Sequence, residues 1–281
     1  MKFYCALLSA LLVIILPKPS FTAQSIRENA TLNKDIGYYI FKEISKSKDL
    51  SNTLILFDID DTLITKENVT FIGSSSFYDF MKAGVINTHK LTNEAADRYI
   101  KALFNSIYKY LPVNLTDPIL PELIDILKKR GATVIGFTAR QRALLENTID
   151  QLAKFKIRFS NITCLDIGIK HGLYTIGPQM EKGDAALKLL DLLKPKTFKH
   201  LVFFDDRQQN LISVKNKLFS NKQLISANYI QILNAIPFDS GLTFDSLCRF
   251  IESNQDNPDF KADVLNDSFT KEVYAKCQLK K

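Results

Sequence analysis

Leu54-Ile55-Leu56-Phe57-Asp58-Ile59-Asp60-Asp61-Thr62-Leu63 is the stretch on which the reading of the chain turns. Four apolar, β-favouring residues run straight into three carboxylates and a threonine. An uninterrupted apolar run this short reads as a buried parallel strand. Such strands end at the carboxyl edge of an open α/β sheet, where ligands bind. Period-two alternation puts Asp58 and Asp60 on one side if the strand continues, and a tight turn would also converge them. Clustered carboxylates repel one another unless a cation or a shared proton intervenes, and a hard divalent ion such as Mg²⁺ is the simplest neutraliser. The plainer alternative makes Asp58 and Asp60 turn and helix-cap residues.

Upstream, residues 1–22 have the pattern of a secretory signal peptide. Lys2 precedes an apolar run from Ala6 to Leu16 broken only by Ser9, and Pro17, Pro19, Ser20 and Thr22 follow. The run is short for a membrane span, so the expectation is an exported chain, periplasmic or secreted, with no span in its mature form. Removing Lys2 and Lys18 lowers the formal charge from +7 to +5. The remaining lysines are scattered, with no nucleic-acid-binding motif or basic stripe. Three cysteines remain, Cys164, Cys248 and Cys277, which allow one disulfide and one spare thiol. Their spacing fits no zinc motif, and His89, His171 and His200 lie far apart in sequence.

Downstream, the chain alternates between strand-like and helix-like segments. Residues 23–50 read as a helical lead-in, with Ile36, Tyr39, Ile40 and Ile44 at helical spacing. Residues 64–116 form an insert that would hang over the carboxyl edge as a lid. Residues 71–78 look like a loop, and from Thr92 an apolar stripe predicts a helix. A second strand covers 132–137 and ends at Thr138-Ala139-Arg140. A third is expected at 162–165 and a hairpin near 167–176. A helix opens at Lys182, and a further buried strand, 200–204, ends in Asp205-Asp206. The polar stretch 251–281 has no clear period and is left without assigned structure. Strands alternating with helices imply a parallel sheet with right-handed crossovers.

Four strand ends thus carry polar groups in a set order: Asp58-x-Asp60-x-Thr62, Thr138, Lys182 and Asp205-Asp206. In this order the chain resembles the haloacid dehalogenase-like (HAD-like) superfamily, most of whose members are phosphatases. Phe57-Asp58-Ile59-Asp60-Asp61-Thr62 is similar to the form seen in its secreted acid phosphatases. Other stretches resemble an uncharacterised exported bacterial branch. The better-known acid phosphatases space the two last acids apart, whereas Asp205 and Asp206 are adjacent.

The resemblance implies an α/β fold: a three-layer, Rossmann-like parallel sheet, with a mainly helical cap inserted after the first strand, the core and cap together covering residues 51–250. It implies an exported Mg²⁺-dependent phosphomonoesterase acting on a small phosphorylated substrate. Asp58 would be the nucleophile and Asp60 the acid and base. Thr138 would bind phosphoryl oxygens and Lys182 would balance their charge. Mg²⁺ would be held by Asp58, the Asp60 carbonyl, Asp205 and Asp206. Arg140 is a candidate phosphate or substrate contact or a residue supporting the site from behind, Thr62 a loop-fixing residue, and Asn210 a candidate metal ligand or neighbour of the ligands. The competing function is a binding or host-interaction protein that keeps the scaffold without the catalysis, and the intact acids and lysine argue against it.

Overall fold

The computed structural model describes residues 25–32, 35–44, 48–66, 75–177, 180–194, 196–219, 224–233, 240–266 and 268–278. The expected signal peptide, 1–22, lies outside the described residues.

The apolar run is the central strand β2, Thr53–Phe57, buried at every position. It pairs in parallel with β5, Thr133–Thr138, on one side and with β8, His200–Asp205, on the other. Beyond β8 lies β9, Ser226–Leu233, and then β1, Ser25–Leu32, at the edge. Beyond β5 lies β7, Leu173–Thr175, followed by its antiparallel hairpin partner β6, Ile169–Lys170. The seven-stranded order is β1-β9-β8-β2-β5-β7-β6.

Alternation along the strands sorts side chains between two faces. Ile55, Phe57 and Val134 pack with α1, Ile36–Ile44, α4, Leu120–Lys129, and α5, Leu145–Lys154. Leu54, Leu56, Ile135 and Phe137 pack with α6, Lys182–Leu192, and α7, Gln208–Leu218. A sheet buried on both faces explains why its strands read as continuous apolar runs. The expected α/β, three-layer, Rossmann-like parallel sheet is the observed fold, and its polar strand ends all emerge on one edge.

The insert after β2 leaves and returns through a two-stranded antiparallel stem, β3, Ile64–Lys66, against β4, Val113–Leu115. Between them lie α2, Ser75–His89, and α3, Asn93–Tyr110, a helical cap as expected. Thr92 caps α3 by accepting from the Ala95 amide, which leaves the stripe Ala96, Ile100, Leu103 and Ile107 facing inward. The loop expected over 71–78 is helical from Ser75, and 67–74 lie outside the described residues.

Three expectations are corrected. Residues 25–32 are a strand rather than part of a helical lead-in, because β9 offers an open parallel edge that this segment completes along its whole length. Residues 162–165 make no strand of their own. Cys164 forms a single bridge to Ile169, and β7 takes the place beside β5. The stretch 251–281, given no structure from its sequence, is helical over its described residues: it holds the end of α8, Ser240–Asn254, then α9, Pro258–Phe260, a π turn at Lys261–Leu265, and α10, Ser268–Gln278. These helices share one apolar cluster with the cap, in which Leu247, Phe250, Phe260 and Val264 join Ile100, Phe104 and Ile107. Cys248 and Cys277 form a disulfide that ties α8 to α10, and Cys164 is free.

Candidate active site

The carboxyl edge of the sheet and the cap enclose a cavity of about 910 Å³. Its floor carries Asp58, Asp60, Thr138, Lys182 and Asp206, and its roof carries Tyr78, Phe104 and Tyr108 of the cap. Each floor residue is placed by an element end. Asp58 follows the last residue of β2, and its amide donates to the Phe204 carbonyl of β8. Thr138 closes β5, Lys182 opens α6, and Asp205 closes β8. The turn after Asp58 is tight. Asp61 adopts a left-handed backbone, φ 59°, which aspartate tolerates better than most residues, and its amide donates to the Ile64 carbonyl. Asp58 and Asp60 are thereby brought to the same cavity.

Lys182 is the electrostatic centre. Its Nζ lies 2.7 Å from Asp58 Oδ1 and 2.6 Å from Asp205 Oδ2, and all three side chains are almost completely buried. Burial works against the ammonium charge, and Asp205 and Asp58 overcome it, so the Lys182 pKa is raised. Asp205 Oδ1 accepts from the Arg207 amide and from Asn210 Nδ2, both at 2.9 Å. Asn210 is therefore a partner of Asp205. Thr138 Oγ1 accepts from the Arg140 amide at 3.2 Å, and its side chain lines the cavity.

Asp58, Asp205 and Asp206 bring carboxylate oxygens within 4.8 Å of one another. Lys182 bridges Asp58 and Asp205 and the Arg207 charge acts on Asp206, so three carboxylates stand against two cations. Burial pushes Asp205 up to about 6. Burial, then repulsion by Asp58 and Asp205, pushes Asp206 well above the ordinary carboxylate range. An all-oxygen donor set with surplus charge fits a hard divalent cation. The Asp60 carboxylate is not part of this cluster, and the resemblance gives it only its backbone carbonyl as a ligand.

Asp60 instead sits in a clamp. Arg140 Nε donates to Asp60 Oδ2 at 2.8 Å and Arg140 Nη2 to Asp60 Oδ1 at 2.9 Å, a bidentate pair. Lys66 Nζ stands 3.3 Å from Asp60 Oδ1 and 3.0 Å from Asp61 Oδ2. Burial would raise the Asp60 pKa, but the charges and hydrogen bonds of Arg140 and Lys66 hold it well below the carboxylate range. Asp61 shifts the other way, because burial outweighs Lys66 there. The Arg140 guanidinium donates to Asp60, to Thr148 Oγ1 and to Gln151 Oε1.

Thr62 is fully buried, and its carbonyl accepts from Thr116 Oγ1 at 2.7 Å, tying the turn to the cap stem. Among the described residues its own hydroxyl has no partner. Lys66, Tyr108, Thr148 and Gln151 escape motif reading. The available signal is Thr148 and Gln151 standing among Leu145 and Leu152 on the buried face of α5.

A parallel α/β sheet with Asp58, Thr138, Lys182 and Asp205 at its carboxyl edge, and a helical cap inserted after the first motif, defines a HAD-like core. The chain belongs to the family described as Protein of unknown function (DUF2608), whose sequence model matches residues 31–233. Among solved structures, the HAD domain of effector protein Lem4 from Legionella pneumophila is similar at 18% identity. That comparison has a TM-score of 0.37 and covers 75% of this chain and 98% of that one. No curated protein matches the chain.

Proposed function

We propose that the chain is a metal-dependent phosphomonoester hydrolase that works through an aspartyl-phosphate on Asp58. The observation that carries this reading is Lys182 held between Asp58 and Asp205 on the floor of a capped cavity. A nucleophilic carboxylate beside a fixed ammonium and a second acid is what in-line phosphoryl transfer needs. Most of the catalysis of such a transfer is positioning and charge compensation.

Asp58, Asp205 and Asp206 would hold a cation such as Mg²⁺, which neutralises phosphoryl oxygens when bound. The chain's own groups do the rest. An Asp58 oxygen forms a bond to phosphorus as the bond to the leaving oxygen breaks. Thr138 Oγ1 donates to a phosphoryl oxygen, and Lys182 compensates the charge. Asp60 handles protons. Its ionised state, favoured by Arg140 and Lys66, accepts a proton from the water that attacks the phosphoaspartate and regenerates Asp58. With Asp60 ionised, the leaving oxygen departs as the oxyanion and takes its proton from solvent, which suits leaving groups of low basicity such as aryl oxides. The cap roof, with Tyr78, Phe104 and Tyr108, is the surface that selects the rest of the substrate.

Export belongs to the same proposal. A disulfide between Cys248 and Cys277 supports an oxidising compartment, periplasmic or extracellular. Among the described residues no helix is long and apolar enough to cross a membrane.

Hydrolysis of an aryl phosphate by residues 23–281, with Mg²⁺, with chelator and in Asp58→Asn, tests the reading. Activity that needs metal and disappears in Asp58→Asn is expected. A folded protein that is inactive across metals and pH, and that binds neither Mg²⁺ nor beryllofluoride, would overturn it in favour of a binding scaffold.

A further inference from the structure

Asp60 lies where the cap joins the core, and both connections of the cap reach its clamp. On the outgoing side, Lys66 ends β3, the stem strand that leads into the cap, and its Nζ touches Asp60 and Asp61. On the returning side, Tyr108 lies in the last turn of α3, and its ring covers the Arg140 guanidinium at 4.9 Å from the ring centre and the Lys66 ammonium at 5.9 Å. A face of electron density over two buried cations is a favourable contact. Gln151 completes the seam. Its Oε1 accepts from Arg140 Nη1 at 2.7 Å while its Nε2 donates to the Tyr108 carbonyl at 3.1 Å. Thr148 Oγ1 accepts from the same Nη1 at 2.9 Å and donates onward to the Leu144 carbonyl. The guanidinium is thus fixed from three sides, by α5, by the cap and by Asp60.

We infer that Arg140 is a positioning residue for Asp60, and that the cap holds Arg140 in place through Tyr108 and Gln151. The planar guanidinium fork occupies one lone-pair direction on each Asp60 oxygen and fixes the plane of the carboxylate. Lys66 takes a second direction on Oδ1, so the fixed plane sets the direction of the lone pair left on Oδ2 in a residue that lines the cavity. When the cap is seated, the group that moves protons is aimed. When the cap shifts, Tyr108 and the Gln151 link shift with it and the aim is lost. The inference rests on the phosphoryl-transfer reading of the site, and it gives the cap seam a role in proton transfer besides enclosing substrate.

The test is a double-variant cycle of Asp60→Asn with Arg140→Lys, in the full chain with its disulfide intact. Arg140→Lys keeps a cation and removes the fork. Removing a general acid or base costs about 10²–10⁴-fold in kcat, which sets the expectation for Asp60→Asn. Arg140→Lys is expected to lose kcat by roughly tenfold or more with little change in KM, and to lose almost nothing further once residue 60 is Asn. Gln151→Leu, which leaves every contact of Asp60 itself in place, should show the same dependence on Asp60 with a smaller loss.

A readout independent of turnover runs alongside. Aluminium fluoride binding engages an in-line water and so should weaken in Arg140→Lys, whereas beryllofluoride binding, which engages Asp58, Thr138 and Lys182, should not. Losses that multiply in the double variant, or fluoride affinities that fall together, would overturn the positioning role and leave the phosphatase reading standing. A wild-type chain that neither hydrolyses phosphoesters nor binds either fluoride would overturn both.

Discussion

Severing Cys248 from Cys277 should loosen the cap, and the size of the effect follows from where the bond lies. It joins α8 to α10 across a sequence separation of 29 residues, with the Cα atoms 5.4 Å apart. Both cysteines are buried in the cluster that also contains Ile100, Phe104 and Ile107 of α3. Chain-entropy arithmetic for a loop of this length gives about 3.6 kcal/mol at 25 °C. For a domain of this size, that lowers Tm by roughly 7–14 °C. The perturbation is Cys248→Ala together with Cys277→Ala, which removes the cross-link without burying a new polar group. Scanning calorimetry of wild type and variant, each with and without reductant, reads the effect. Reductant should lower the wild-type Tm by a similar amount and leave the variant unmoved, because Cys164 is the one cysteine left among the variant's described residues and it is free. An unchanged Tm in the double variant would refute the argument that the disulfide braces the apolar cluster the C-terminal helices share with the cap.

Other outcomes follow from the site and the sheet. Asp205 is raised to about 6 by burial, so in the folded, metal-free protein it binds a proton more tightly than when unfolded. Its contribution to stability therefore falls as pH rises from about 4 to about 6, and a bound cation restores it above that range. Mg²⁺ should accordingly raise Tm at about pH 7.5 and by clearly less at about pH 5; an equal shift at both would contradict the assignment. Lys66→Met leaves Asp60 and Asp61 facing each other without their shared cation, and should cost about 3–5 kcal/mol in urea unfolding. Gly136 lies in β5 where an added Cβ would come within 2.3 Å of the Phe159 ring and 2.9 Å of Leu173. Gly136→Ala should therefore lower the unfolding free energy by about 1–3 kcal/mol, and a neutral result would show that Phe159 can move aside.

The sheet was legible because its strands are buried on both faces and so run apolar without interruption, as Leu54 to Phe57 and Leu201 to Phe204 do. The polar residues that end those runs marked the floor of the candidate site, because carboxylates in order at successive strand ends converge on one edge of a parallel sheet. What stayed hidden depends on partners remote in sequence. β1 has no apolar pattern of its own and exists because β9 offers an edge. Phe260, Val264, Val273 and Cys277 are too sparse for a single helical stripe. They become one buried face only after the chain turns at Lys261–Leu265 and meets the cap. Arg140 was visible beside Thr138, but its partner was not. A bidentate pair 80 residues apart leaves no local trace, and the same holds for Lys66, whose burial follows from two acids converging in the turn before it.

The central claim is that Asp58 becomes phosphorylated during turnover. Rapid quenching of the Mg²⁺-loaded protein with a radiolabelled phosphomonoester, followed by peptide mapping, measures this directly. The account predicts a transient label, lost in hydroxylamine, on the peptide containing Asp58, and no label in Asp58→Asn. Turnover at an undiminished rate in Asp58→Asn, or label on a different residue, would contradict it.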